Sequence, residues 1–242
     1  MFQKTWNVSR ARIIPRHIFL FAGKIGKSPG SIGIAAGPGR PHLCVIKSQQ
    51  HFQINLKQKT MTQFTVPTRD QVSENNQNLF DNLQKGLGFV PNLYAYFAKS
   101  DTALGDYLAL QNRKSSLRAK EREVINLVVS QVNDCRYCQS AHTVLGKMNG
   151  FSDEQILEIR GGEASFDPKL DALARFVKSL AVNRGKPEAA VTQALFAAGY
   201  NEANLVDIII VVGDKIISNY IHGVTQFAID FPVAPVLEEV HA

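Results

Sequence analysis

The chain has 242 residues, 45% of them hydrophobic and 20% charged, which is the composition of an ordinary globular protein with room for one large domain or two small ones. Its formal net charge of +6 is unevenly placed: residues 1–60 hold ten Lys/Arg and no Asp or Glu, leaving 17 basic against 21 acidic residues in 61–242. A nucleic-acid role would therefore rest on the leader alone, and no apolar run reaches the ~18 residues of a membrane span.

Residues 1–60 read as a basic, disordered leader. Gly, Pro and Ser cluster at Lys27–Pro41 (KSPGSIGIAAGPGRP) with no sustained helical or strand period. The apolar stretch Ile18–Ala22 is shorter than a signal-peptide core. Met61 stands at the charge change, so the chain is expected to start there, with an organellar presequence or a functional disordered tail as alternatives. Cys44 in the leader is a bystander. The expected location is cytoplasmic unless the leader directs import.

From Met61 onward the text is helical, and the domain expected over 61–242 is all-α. Arg69–Leu87 starts at Thr68 or Asp70 and stops at Gly88. Asn92–Ala98 follows Pro91, and Asp101 caps a segment to Arg113. The charged run Arg113–Arg122 reads as a solvated helix start, leading into Leu117–Val132 and then Cys135–Met148, with Asn133 and Asp134 as turn and cap between them. Ser152 or Asp153 caps Glu154–Arg160, ended by Gly161-Gly162. Asp167-Pro168 opens Lys169–Val182, whose apolar face is Leu170, Leu173, Phe176, Val177 and Leu180. Lys186-Pro187 opens a helix to Ala198, Asn201 caps a run to Val212, and a further helix covers Asp214–Ile229 before a frayed tail. Shifted by 80 residues, Leu127–Leu145 overlays Asp207–Thr225 with His142 on His222, and Lys215 and Ser218 fall where the cysteines stand. Such an overlay suggests two related halves with the chemistry kept in the first. His222 reads as structural.

Chemistry concentrates in Glu121–His142, EREVINLVVSQVNDCRYCQSAH. Cys135, Cys138 and His142 stand at i, i+3 and i+7, one face if the segment is helical. Glu123 precedes Cys135 by twelve residues, and a turn at Asn133-Asp134 would fold it back towards the thiols. A helix N-terminus, a neighbouring sulfur and an imidazole each favour a thiolate over a thiol. A carboxylate can orient that imidazole. A disulfide across one helical turn distorts it, because Cβ atoms about 5–6 Å apart must close to roughly 4 Å, which suits a bond that cycles better than a staple. Zinc would need further ligands and a convergent tetrahedron, which three positions on one helix supply poorly. A thioredoxin-like context is missing, since no βαβ pattern surrounds the pair.

Glu, eleven residues, Cys-x-x-Cys, three residues and His, as Glu123, Cys135, Cys138 and His142, resembles the alkylhydroperoxidase D-like (AhpD-like) family of the carboxymuconolactone decarboxylase superfamily. The helical text from about Asp101 to Ile159 and the G-F-S-D-E-Q-I run at Gly150–Ile156 are similar to the same family. The resemblance implies an AhpD-like helical bundle that reduces organic hydroperoxides through a dithiol/disulfide cycle. It assigns Cys138 as peroxidatic, Cys135 as resolving, and His142 with Glu123 as proton relay. It implies no cofactor and no metal, a lipoyl-type dithiol or small thiol protein as reductant, and a homo-oligomer, trimer or hexamer. Where well-studied members carry a histidine between the cysteines this chain has Tyr137, a candidate pocket residue whose phenol hydrogen-bonds but does not titrate near neutrality. Lactone decarboxylation, the superfamily's other activity, needs no paired thiols. A non-catalytic redox sensor is the alternative outside enzymes.

Overall fold

The computed structural model describes residues 64–237; the expectations for the leader, for Cys44 and for Met61 lie outside the described residues. Nine α-helices and one 3-10 turn make up the regular structure there, with no strand, so the fold is all-α. The helices are α1 (Glu74–Leu87), α2 (Asn92–Phe97), α3 (Ala103–Gln111), α4 (Ala119–Val132), α5 (Arg136–Met148), α6 (Asp153–Gly161), α7 (Pro168–Val182), α8 (Ala189–Ala197) and α9 (Glu202–Thr225). No helix among the described residues is long and apolar enough to cross a membrane.

The hub is α4, packed by α5, α6, α7 and α9. Val124, Ile125, Leu127, Val128 and Val129 are all buried, and so are Glu123, Asn126 and Ser130, so this helix is enclosed by its neighbours on both an apolar and a polar face. The face expected of α7 is buried against it. Local chemistry sets the helix starts. Asp167 Oδ1 accepts the backbone N–H groups of Lys169 and Leu170 at 2.9 and 3.2 Å, with Pro168 in the first turn. Ser152, rather than Asp153, caps α6 through a reciprocal box with Gln155. Gly162 ends α6 in the left-handed region at φ 88, where an added Cβ would collide with the Lys178 side chain.

Five expectations need correction. Arg69–Leu87 splits into a 3-10 turn, Arg69–Gln71, and α1, which starts after Ser73. The run Arg113–Arg122 is solvated only in part: Lys114, Arg118 and Lys120 are exposed, but its ends are engaged. Arg113 pairs with Asp207, Arg122 donates to the Gln111 carbonyl at 2.9 Å, and Glu121 is buried, accepting the Arg118 N–H at 2.7 Å and the Tyr200 hydroxyl at 3.1 Å. The break expected near Gly213 does not occur. A helical glycine costs about 1 kcal/mol, and the buried flanks Ile208, Val211, Val212 and Ser218 outweigh it, so α9 runs unbroken. The offset of 80 therefore overlays a helix–turn–helix on one continuous helix, and the two stretches are not a structural repeat. Lastly, residues 233–237 are not frayed: Ala234 is buried, its N–H donates to Ser140 Oγ at 3.0 Å, and the Pro235 carbonyl accepts from Arg160 at 2.9 Å.

Candidate active site

The joint between α4 and α5 builds the site. Asn133 closes α4, and Asp134 takes a left-handed conformation at φ 48 that Asn and Asp tolerate better than most residues. Cys135 N–H then reaches back to the Ser130 carbonyl at 3.0 Å and Asp134 N–H to the Gln131 carbonyl at 3.0 Å, the bond pattern that ends a helix on a left-handed residue. Cys135 also begins α5. Its extended backbone makes it the N-cap, and its Sγ accepts the Cys138 N–H at 3.4 Å. This corrects the assignment of Asn133 and Asp134 as caps. It also changes the disulfide argument: Cys135 is not one turn behind Cys138 on a helix face. Closing the bridge instead takes away a sulfur that caps the helix, a loss of roughly 1 kcal/mol by analogy with other caps.

Both cysteines are reduced and 2% exposed. The Cys135 thiol donates to the Cys138 sulfur, and this is the largest influence on Cys138; Lys215, His142 and Asn219 add to it, and together they overcome burial and pull the Cys138 thiol down to about 5. The same hydrogen bond, together with burial, drives the Cys135 thiol upward. One sulfur of the pair is thus made acidic at the other's expense, a division set by the proton they share.

His142 and Glu123 meet across the joint. His142 Nδ1 lies 2.8 Å from Glu123 Oε2, and Asn126 donates to Glu123 Oε1 at 3.2 Å. Both side chains are nearly enclosed. Burial works against ionising Glu123, but the charge and hydrogen bond of His142, Lys215 and Asn126 outweigh it, and its carboxyl stays below the ordinary range. With Nδ1 committed to a carboxylate, Nε2 is the imidazole atom left to exchange a proton.

Tyr137 does not line an open pocket. It is buried among His222, Phe227 and Phe231 with ring centroids 5.3–5.6 Å away, and its hydroxyl accepts the Leu93 N–H at 3.2 Å. His222 packs against it and reaches the Phe227 carbonyl at 3.1 Å, anchoring the chain as it leaves α9.

Sequence reasoning missed the opposite wall. Ser218 Oγ stands 3.9 Å from Cys138 Sγ, the buried Asn219 beside it favours the ionised sulfur, and Lys215, 2% exposed, lies one turn before Ser218 on α9. Asn219 is itself held by Asn133 at 3.0 Å and Ser130 at 3.4 Å. The signal that could have found these residues is a run of buried-type helix carrying Asp, Lys, Ser and Asn where an apolar face should continue.

Residues 96–179 match the model of the carboxymuconolactone decarboxylase family. This stretch of the helical domain is similar to that family, and the fold is AhpD-like. Its architecture is shared with an uncharacterized peroxidase-related protein from Silicibacter sp. TM1040 (24% identity over 70% of this chain and 92% of that one, TM-score 0.60). It is also shared with an uncharacterized peroxidase-related protein with an alkylhydroperoxidase AhpD core from Ralstonia eutropha JMP134 (20% identity, 69% and 92% covered, TM-score 0.63). The debrominase Bmp8 is similar at 14% identity, with 64% and 86% covered and a TM-score of 0.55. No curated protein matches the chain. At these identities the solved structures speak for the AhpD-like fold alone.

Proposed function

We propose that this AhpD-like domain reduces hydroperoxides by a dithiol cycle. The observation that carries the reading is the buried pair of free thiols, with the Cys138 N–H held by Cys135 Sγ at 3.4 Å, in the same enclosed joint as the Glu123–His142 pair at 2.8 Å; the surroundings favour the Cys138 thiolate. Cys138 thiolate attacks one peroxide oxygen: an S–O bond forms, the O–O bond breaks, and the departing alkoxide takes a proton from His142, giving Cys138 sulfenic acid and an alcohol. Cys135 thiol then attacks the sulfenic sulfur; the disulfide forms and water leaves. An external dithiol, lipoyl-type or on a small thiol protein, gives two electrons and two protons to restore both thiols and becomes a disulfide itself.

Self-association belongs to this reading. The outward face of α9 exposes Val206, Ile209, Ile217, Tyr220 and Val224, while Asp214 and Lys215 turn inward and Asp207 is paired with Arg113. An uncharged apolar face of this length is a surface suited to a second copy.

The test is turnover of an organic hydroperoxide with excess dithiol. Cys138→Ser should remove it, and Cys135→Ser should stop after a single sulfenic acid equivalent. A wild-type protein that oxidises once and never cycles would be a sensor, and the proposal would fail.

A further inference from the structure

The dithiol cycle uses residues of α4, of α5 and of the joint between them, yet α9 places a buried lysine at the same site. Lys215 is 2% exposed and forms no ion pair among the described residues. Its place is set by Ser218, one turn further along, whose hydroxyl touches Cys138 Sγ at 3.9 Å and donates to the Lys215 carbonyl at 2.9 Å. Burying an ammonium without a carboxylate is costly. A structural lysine would be expected to pair or to reach solvent along its stem. Asp214, adjacent in the chain, is engaged elsewhere, accepting from Gln111 at 3.3 Å. What the neighbouring helices bring to this part of α9 is reactive: Cys138 of α5 lies against Ser218, one turn from Lys215, and the lysine charge favours the ionised forms of Cys138 and Glu123.

We propose that Lys215 is a catalytic cation of this site, placed to hold the negative charge as it passes from the Cys138 sulfur to the departing peroxide oxygen. The inference rests on the peroxidase reading and deepens it. In the attack, the electron pair of the O–O bond leaves on the distal oxygen, while the sulfur gives up its charge to the new S–O bond. A fixed cation beside the sulfur therefore has a negative partner before the reaction and another at the transition state. Such preorganised charge is worth most where water is excluded. His142 supplies the proton that turns the alkoxide into alcohol, and Lys215 keeps its own.

The test uses the full chain with Lys215→Met, which keeps the stem, and Lys215→Arg, which keeps the charge; retained melting temperature and helical circular dichroism qualify each variant. Two rates are followed across pH in the reduced protein: iodoacetamide alkylation of Cys138, read by peptide mass, and single-turnover oxidation by cumene hydroperoxide. In Lys215→Met the alkylation midpoint should rise. On its high-pH plateau, alkylation should match wild type while peroxide oxidation stays at least tenfold slower, and Lys215→Arg should recover most of that loss. If Lys215→Met oxidises as fast as wild type once Cys138 is fully ionised, the lysine only tunes the thiol and the inference is overturned, with the peroxidase reading intact. If peroxide oxidises neither the wild-type thiols to a disulfide nor Cys138 of Cys135→Ser to a sulfenic acid, the peroxidase reading fails and the inference with it, while the alkylation midpoints still report the charge at the thiol.

Discussion

Around α4 and α7 the core is aliphatic. Leu127, Val128, Leu173, Val177 and Ile208 are fully enclosed and need nothing but one another. Around the thiols the core is aromatic, with Tyr137, Phe97, Tyr107 and Phe227 packed about Cys135 and Cys138. Beside it Glu123, His142, Lys215, Ser218 and Asn219 are buried as well. Aliphatic burial contributes stability in proportion to area. Ionisable groups lose hydration on burial and recover it only through particular partners. The first core can therefore supply the margin that the second consumes, and a change in one should be read by a measurement to which the other is blind.

The largest separation should come from the relay. Glu123→Gln removes the charge that His142 Nδ1 faces at 2.8 Å and should lower peroxide turnover by about 100-fold or more, with the urea midpoint little changed. Leu173→Ala attacks the other core. As a fully enclosed residue, its truncation should cost about 2–5 kcal/mol in urea denaturation, while the alkylation midpoint of Cys138 stays where it was. A similar loss of alkylation reactivity in that variant would show that the two cores are one cooperative unit.

Asp207 links the halves without belonging to either core. It takes hydrogen bonds from Arg113, Ser115 and Ser116, which hold its carboxyl well below the usual range. Asp207→Asn should cost about 1–3 kcal/mol and leave thiol chemistry alone. The thiol pair itself should make stability depend on pH. Cys138 is more acidic folded than unfolded, so its contribution is complete above the unfolded thiol value near 9 and is lost as pH falls through about 5. Over that window the reduced wild type should lose stability relative to Cys138→Ser; the upward shift of Cys135 acts in the opposite sense only above the window. Urea midpoints at pH 5, 7 and 8.5 under reducing conditions measure this. The smallest effect expected is Ser152→Ala at the α6 cap, about 1 kcal/mol, with no change in turnover.

Much of this was legible before any coordinates. The stripe of α7, its Asp167-Pro168 start and the Gly162 stop follow from local rules that act within a turn or two of chain. The spacing of Glu123, Cys135, Cys138 and His142 also sufficed to bring the four towards one another, because a single short turn separates their helices. What was misread depended on distant partners. Gly213 looks like a stop until its flanks are seen buried, and Arg113 looks solvated until Asp207, 94 residues away, is found beside it.

Taken alone, the amino-acid order determined the helices and the thiol, imidazole and carboxylate that share one joint, since periodicity, caps and turn residues act over short separations. Tertiary packing decided which sulfur is acidic, that Cys135 serves as a cap, and that Lys215, Ser218 and Asn219 form the facing wall. Those outcomes arise from helices eighty residues apart pressing into one enclosed space, where the electrostatic strength of each group depends on what excludes water from it.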